Sequence, residues 1–220
     1  MSRQVAADLA ASYRLRGRQP VVIPNGVDTG CFDFAPLAGR GRGVLYVGRL
    51  GYRKGLFRLL AAFARLPPEP GLELTLAGEG PLELALRHQA MTLGIARRVR
   101  FTGFLDAAGV RRELHEAGCF VNPADYETGP LTLLEAMACG TPVVTTATGL
   151  AAEMGPPTPL LVSDPAPEAL AGAIRATLAE PMATAARARE ARALVVARYG
   201  WERVVDRLEA VYGVRQEQAA

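Results

Sequence analysis

From residue 43 onward, short, largely apolar runs take turns with longer stretches in which apolar residues recur every three or four positions. The runs fall at 44–47, 72–77, 99–102, 119–122, 143–146 and 160–162, and their length and β-branched content predict buried strands. Between and after them, the helical period predicts helices over 55–66, 81–93, 106–115, 130–139, 167–179, 182–198 and 201–212. Regular alternation of this kind requires right-handed crossovers, hence a parallel sheet with helices on both faces. The predicted fold class is therefore α/β, a doubly wound, Rossmann-like sheet. Ahead of it the pattern predicts an amphipathic helix over 5–16 and a short strand over 21–24. Asn25-Gly26-Val27-Asp28 then reads as a turn, and 31–42, rich in Gly, Pro and Arg, as a linker.

The helix predicted over 130–139 carries the most chemistry. Gly129 and Pro130 open it, with proline expected at its first helical position, and Gly140 with Pro142 closes it. Leu131, Leu133, Leu134, Met137 and Ala138 cover most of its circumference, which predicts a helix nearly engulfed by the protein. Glu135 sits among them with no lysine or arginine within one turn. A carboxylate there needs hydrogen-bond donors, and the two hydroxyls of a ribose or a distant arginine would each supply them. Glu127 lies just ahead of the same helix, either assisting its start or standing beside backbone N–H groups that attract an anion such as phosphate.

Composition narrows the function classes. The 220 residues are half hydrophobic and carry a net charge of +3 with interspersed signs, so no basic tract of the kind that wraps nucleic acid is present. A pI near 9.0 suits an anionic ligand, or an anionic surface such as the inner face of a membrane. Cys31, Cys119 and Cys139 have no metal-ligand spacing, and their odd, sparse number points to reduced thiols in a cytosol, with Cys119 in the core. No apolar span approaches the roughly 18–20 residues that cross a bilayer, and Met1-Ser2-Arg3-Gln4 does not begin a signal peptide, so a cytoplasmic location is expected. Of 25 basic residues 24 are arginine; Lys54 is the one lysine, in Gly48-Arg49-Leu50-Gly51-Tyr52-Arg53-Lys54-Gly55. A compact ammonium and a guanidinium approach a phosphate differently, so this exception marks Lys54 for attention. The same turn lacks the Gly-x-Gly-x-x-Gly of a nicotinamide-binding fold, which sets an oxidoreductase aside. His88 and His115 fall in helical stretches and read as surface residues.

In doubly wound sheets ligands sit at the carboxyl ends of the strands. Arg49, Gly78-Glu79-Gly80-Pro81, Phe104-Leu105 and Glu127 each follow a strand and so share one rim, although Gly78 to Pro81 also reads simply as a tight turn into a helix. Glu127, seven residues, then Glu135 followed by Ala-Met-Ala-Cys-Gly-Thr-Pro-Val-Val resembles the paired-glutamate signature of the retaining, two-domain (GT-B) glycosyltransferases of family 4. Gly48-Arg49-Leu50 with Lys54-Gly55 is similar to a second motif of that family, and Asn25-Gly26-Val27-Asp28 to the turn after its N-terminal domain.

The resemblance implies that the chain is the C-terminal half of a GT-B fold, with residues 1–30 the end of an N-terminal domain. It makes 43–200 the nucleotide-sugar donor domain and 201–220 a C-terminal helix and tail. It implies transfer of a hexosyl group with retention of configuration and without a metal ion or other cofactor. Arg49 and Lys54 would hold the donor diphosphate, Glu127 would face the donor sugar, and these three would be catalytic. Glu135 would accept the ribose hydroxyls, the backbone at Thr128, Gly129 and Leu131 would hold sugar and phosphate, and Leu105 would meet the base. Two departures stand out: Thr128-Gly129-Pro130-Leu131 replaces the commoner Gly-Phe-Gly-Leu and removes an N–H, and Ala147 to Glu153 replaces a Gly-Gly-x-x-Glu loop. The acceptor domain itself is absent from these residues. The acceptor is therefore unspecified, and a partner chain bringing that domain, self-association through the last helix, or a non-catalytic sugar-nucleotide-binding module are further expectations.

Overall fold

A computed structural model describes residues 3–13, 20–154 and 160–213 of the chain. Among the described residues six strands form one sheet: β1 (Val44–Val47), β2 (Leu74–Ala77), β3 (Val99–Gly103), β4 (Cys119–Asn122), β5 (Val143–Thr146) and β6 (Leu161–Ser163). Every pairing is parallel, in the spatial order β3-β2-β1-β4-β5-β6. Val44 of β1 stands opposite Leu74 on one side and Cys119 on the other. The order reverses between β1 and β4, the switch point at whose carboxyl ends ligands bind in sheets of this kind.

Among the described residues the helices are α1 (Arg3–Ser12), α2 (Leu56–Phe63), α3 (Glu83–Thr92), α4 (Ala107–Glu116), α5 (Leu131–Ala138), α6 (Gly149–Met154), α7 (Pro167–Ala179), α8 (Pro181–Tyr199) and α9 (Trp201–Tyr212), with a 3-10 turn at Ala96–Arg98. Strand residues alternate between two cores, as the pleat requires. Val44 and Tyr46 face a core with Leu59, Leu60 and Phe63 of α2 and Ile174 of α7. Leu45 and Val47 face a second core with Leu133, Leu134 and Met137 of α5 and Val195 of α8. Asp106 caps α4, its carboxylate accepting from the Gly109 N–H at 2.7 Å. Among the described residues no helix is long and apolar enough to cross a membrane.

Several sequence expectations are corrected. Residues 21–24 form no strand; Val21 is exposed, and the first ladder-like pair is Val27 with Gly200. A strand needs a partner edge, and Pro24 removes a donor from this one. Pro130 is the cap residue of α5, in an extended conformation, and helical geometry begins at Leu131. Leu131 is itself 47 % exposed, so α5 keeps one open face at its start. The stretch from Gly149 folds as α6, because Leu150 and Ala151 find buried places. The first helix ends at Ser12, and the rest of its predicted span lies largely outside the described residues. The 31–42 segment adheres closely to the sheet domain: Phe32 is buried in the second core, and the Ala35 N–H donates to the Cys139 carbonyl.

Candidate functional site

The loops that follow β1 and β4 are built against one another. Gly55 lies at φ 66, and a Cβ on it would come within 1.9 Å of the Pro123 carbonyl oxygen. Only glycine permits both the left-handed backbone and that approach. The Asp125 N–H donates to the Arg53 carbonyl at 2.8 Å, and Arg58 pairs with the Asp125 carboxylate. Across this seam the Lys54 ammonium donates to Glu127 Oε1 at 2.7 Å, with the Glu127 side chain only 10 % exposed. The Glu127 backbone is backed by Gly149, whose absent Cβ would stand 2.4 Å from the Glu127 carbonyl oxygen.

Arg49 stands exposed at the start of the β1–α2 loop, held through its backbone. The buried Tyr46 hydroxyl donates to the Arg49 carbonyl at 3.0 Å; burial, then the nearby Glu127 charge, raises that phenol above its usual value and keeps it a donor. Behind the loop, Gly48 and Leu50 donate to the carbonyls of Ala77 and Glu79. The Gly78 to Pro81 turn therefore supports the Arg49 loop from below. A Cβ at Gly78 would come within 2.1 Å of the Gly48 carbonyl oxygen.

A cavity of about 480 Å³ opens on this rim, lined by Arg49, Glu79, Leu105, Leu131 and Glu135 among others. Burial alone pushes the Glu135 carboxyl up to about 7, and no charged neighbour figures among the causes. It is a carboxylate waiting for donors. A second cavity, also about 480 Å³, is lined by Glu127, Thr148 and Glu153 among others. Thr128 and Gly129 line neither cavity, but no side chain caps the start of α5, so the N–H groups of its first turn are available to a ligand. A third cavity, about 610 Å³, is lined by Arg100, Glu113 and Glu116 among others and contains none of the predicted site residues.

The structure thus brings Lys54 to Glu127, and Arg49, Leu105 and Leu131 to Glu135, on one rim. Sequence reasoning placed Phe104 on the rim but missed Phe32 and Thr132, which line the Glu135 cavity with it. Phe32 had a faint signal, an aromatic pair Phe32-Asp33-Phe34 inside a segment that reads as a linker. His88 is exposed as expected, but His115 is half-buried and its Nε2 lies 2.9 Å from the Asp33 carbonyl oxygen. Among the described residues no group of three His, Cys, Asp or Glu side chains is arranged to hold a metal ion.

Residues 34–194, which contain Arg49, Lys54, Leu105, Glu127 and Glu135, match the family described as Glycosyl transferases group 1. The chain belongs to that family. Within it, the chain is 38 % identical over 208 residues to a Mycobacterium tuberculosis protein named glycogen synthase, covering 90 % of this chain and 50 % of the relative. It is 31 % identical over 212 residues to a GDP-mannose-dependent phosphatidylinositol dimannoside mannosyltransferase of the same species, covering 91 % and 54 %. Among solved structures it superposes on sucrose-phosphate synthase from Thermosynechococcus elongatus with a TM-score of 0.83 and 30 % identity, over 96 % of this chain and 56 % of that one. The fold also matches Anabaena HepE, crystallised with UDP and glucose, at a TM-score of 0.85 and 23 % identity, over 97 % and 62 %. This glycosyltransferase fold is of the GT-B type, and the chain spans about half the length of the relatives it matches.

Proposed function

We propose that this chain is the donor-binding half of a retaining glycosyltransferase of family 4, and that it binds a nucleotide-diphospho-sugar for hexosyl transfer. The observation that carries this reading is the contact of Lys54 with Glu127 at the strand-order reversal, beside a cavity that holds Arg49 and the unpaired Glu135. Breaking the bond between sugar and diphosphate leaves negative charge on the departing phosphate. Preorganised positive groups stabilise that charge as it develops, each worth roughly 3–4 kcal/mol in comparable sites. Lys54 has three N–H donors and spends one on Glu127, which leaves two for phosphate oxygens. Arg49 and the N–H groups that open α5 add positive potential, so this chemistry calls on no metal ion. Glu127 keeps its second oxygen for a sugar hydroxyl, and Glu135 would accept both ribose hydroxyls.

Two observations qualify the scope. The chain spans half of its relatives, so acceptor binding and water exclusion fall to a second domain, whether on the same polypeptide or on a partner. The outer face of α9, with Trp201, Val205 and Val211 about half exposed, is the surface we assign to that contact or to self-association. A sugar-nucleotide-binding module without turnover of its own is the second reading, favoured by the same half-length span.

Titration of the purified chain with UDP-glucose, GDP-mannose and ADP-glucose tests the reading. Binding to at least one, weakened in Glu135→Ala, is expected; no binding to any sinks it. Release of nucleoside diphosphate once an acceptor and the missing domain are supplied, abolished in Lys54→Ala, separates the enzyme from the module.

A further inference from the structure

We infer that Asn25 is a positioning residue of the sugar-binding loop: its side-chain amide fixes the Gly129–Pro130 peptide and so aims Glu127 and the start of α5 at the donor. The inference rests on the nucleotide-sugar reading above. The Asn25 Nδ2 donates to the Gly129 carbonyl at 2.8 Å, across 104 residues of sequence. Gly129 lies at φ 135, where backbone orientation is loosely determined by sterics. The peptide that follows ends in a proline nitrogen, so its carbonyl is the one polar group by which it can be held. Asn25 takes that group.

The turn that carries Asn25 is held in place from three sides. The Asp28 carboxylate accepts from the N–H groups of Gly30 and Cys31, both at 2.9 Å. The Val27 N–H donates to the Tyr199 carbonyl at 2.8 Å, and Val27 pairs with Gly200 at the α8–α9 junction. Gly26 lies so close beneath the Trp201 ring that a Cβ would approach it to 2.8 Å. A turn anchored this firmly presents a rigid donor to the loop. Asn25 is exposed and contributes little to the core, so its contact with Gly129 serves the loop's geometry more than the fold.

The test compares the whole chain with Asn25→Ala and Asn25→Asp. Affinities are measured for UDP-glucose and GDP-mannose, each against its own nucleoside diphosphate. Loss of one neutral hydrogen bond is expected to weaken sugar-nucleotide binding by about two- to tenfold, with the nucleoside diphosphate and the unfolding midpoint unchanged. Asp should be worse than Ala, because its carboxylate would face the carbonyl it replaces a donor for. Parallel losses for both ligands, or no change in either variant, overturn the assignment of Asn25 while leaving the donor reading intact. Failure of the wild-type chain to bind either sugar nucleotide overturns both.

Discussion

Lys54 Nζ and Glu127 Oε1 stand 2.7 Å apart, joining the loop that leaves β1 to the loop that leaves β4. The two residues are distant in sequence and meet because the sheet reverses its strand order between their strands. The pair is only partly open to water, with 28 % of the lysine side chain and 10 % of the glutamate exposed. Removing one partner leaves a poorly solvated charge behind, which costs more than an exposed ion pair would. Lys54→Ala is expected to lower unfolding free energy by about 1–3 kcal/mol and to weaken nucleotide-sugar binding by roughly 10- to 100-fold. Calorimetry at matched salt should show no such loss for the free nucleoside, which carries no phosphate. Glu127→Gln should retain the contact with Lys54 and most of the stability.

Glu135 gives a pH dependence with a definite sign. Burial raises its carboxyl from 4.5 to about 7, so the folded chain holds a proton that the unfolded chain has already released. Stability therefore falls as pH rises from about 4.5 to about 7 and is flat above that window. At about 1.4 kcal/mol per pH unit, the burial cost at pH 8 is roughly 3 kcal/mol. Glu135→Gln is expected to raise the denaturation midpoint at pH 8 and leave it unchanged at pH 4. Donor binding should run the other way. Ribose hydroxyls favour the ionised acid, so affinity should climb between pH 6 and 8 and vanish as a pH effect in the variant. Titrations in buffers of different ionisation enthalpy would register the proton released on binding.

Much of this was legible in the chain because local and global signals agree. The strands at 119–122 and 143–146 and the helices at 167–179 and 201–212 fall where the apolar periods end, since buried runs between turn residues leave few alternatives. Arg49 and Glu127 were visible as polar residues at strand exits, Glu135 as a carboxylate among the apolar positions of a helix, and Lys54 as the one lysine. The misses share another cause. Residues 21–24 look like a strand, but strand formation depends on a neighbouring edge that local sequence does not encode. Phe32 sits in what reads as a linker, yet it lines the Glu135 cavity, and Asn25 reaches a glycine 104 residues away. Such long-range contacts leave no periodic trace.

Gly55 and Gly71 separate steric clash from backbone strain. Both adopt left-handed conformations, at φ 66 and φ 74. A Cβ at Gly55 would lie 1.9 Å from the Pro123 carbonyl oxygen, whereas one at Gly71 would meet nothing within 4 Å. Gly71→Ala should cost about 1–2 kcal/mol, the strain of the left-handed backbone alone. Gly55→Ala should cost roughly 3–5 kcal/mol, because the loops after β1 and β4 must part, and Lys54 should lose its hold on Glu127 with them. Urea unfolding of both variants, beside donor titrations, would show stability and binding falling together only for Gly55.

Arg40 fastens the 31–42 segment to the sheet domain through one guanidinium. It donates to the carbonyls of Leu114 at 2.8 Å, Cys139 at 2.7 Å, Ala35 at 2.5 Å and Pro36 at 3.1 Å, and to Thr141 Oγ1 at 3.0 Å. Leu114 and Cys139 belong to the last turns of α4 and α5, where carbonyls lack helical partners and a cation is favoured. A lysine would keep the charge, but its three donors radiate from one point and cannot span five acceptors. Arg40→Lys is therefore expected to destabilise by roughly 2–4 kcal/mol, as for other broken buried networks. Arg42→Lys, whose partner Glu69 is exposed, should change stability by less than about 0.5 kcal/mol. Hydrogen exchange at the Ala35 amide should quicken in the Arg40 variant alone, because that amide shares the Cys139 carbonyl with Arg40. Equal stability of the two variants would mean that the segment is held by Phe32 instead.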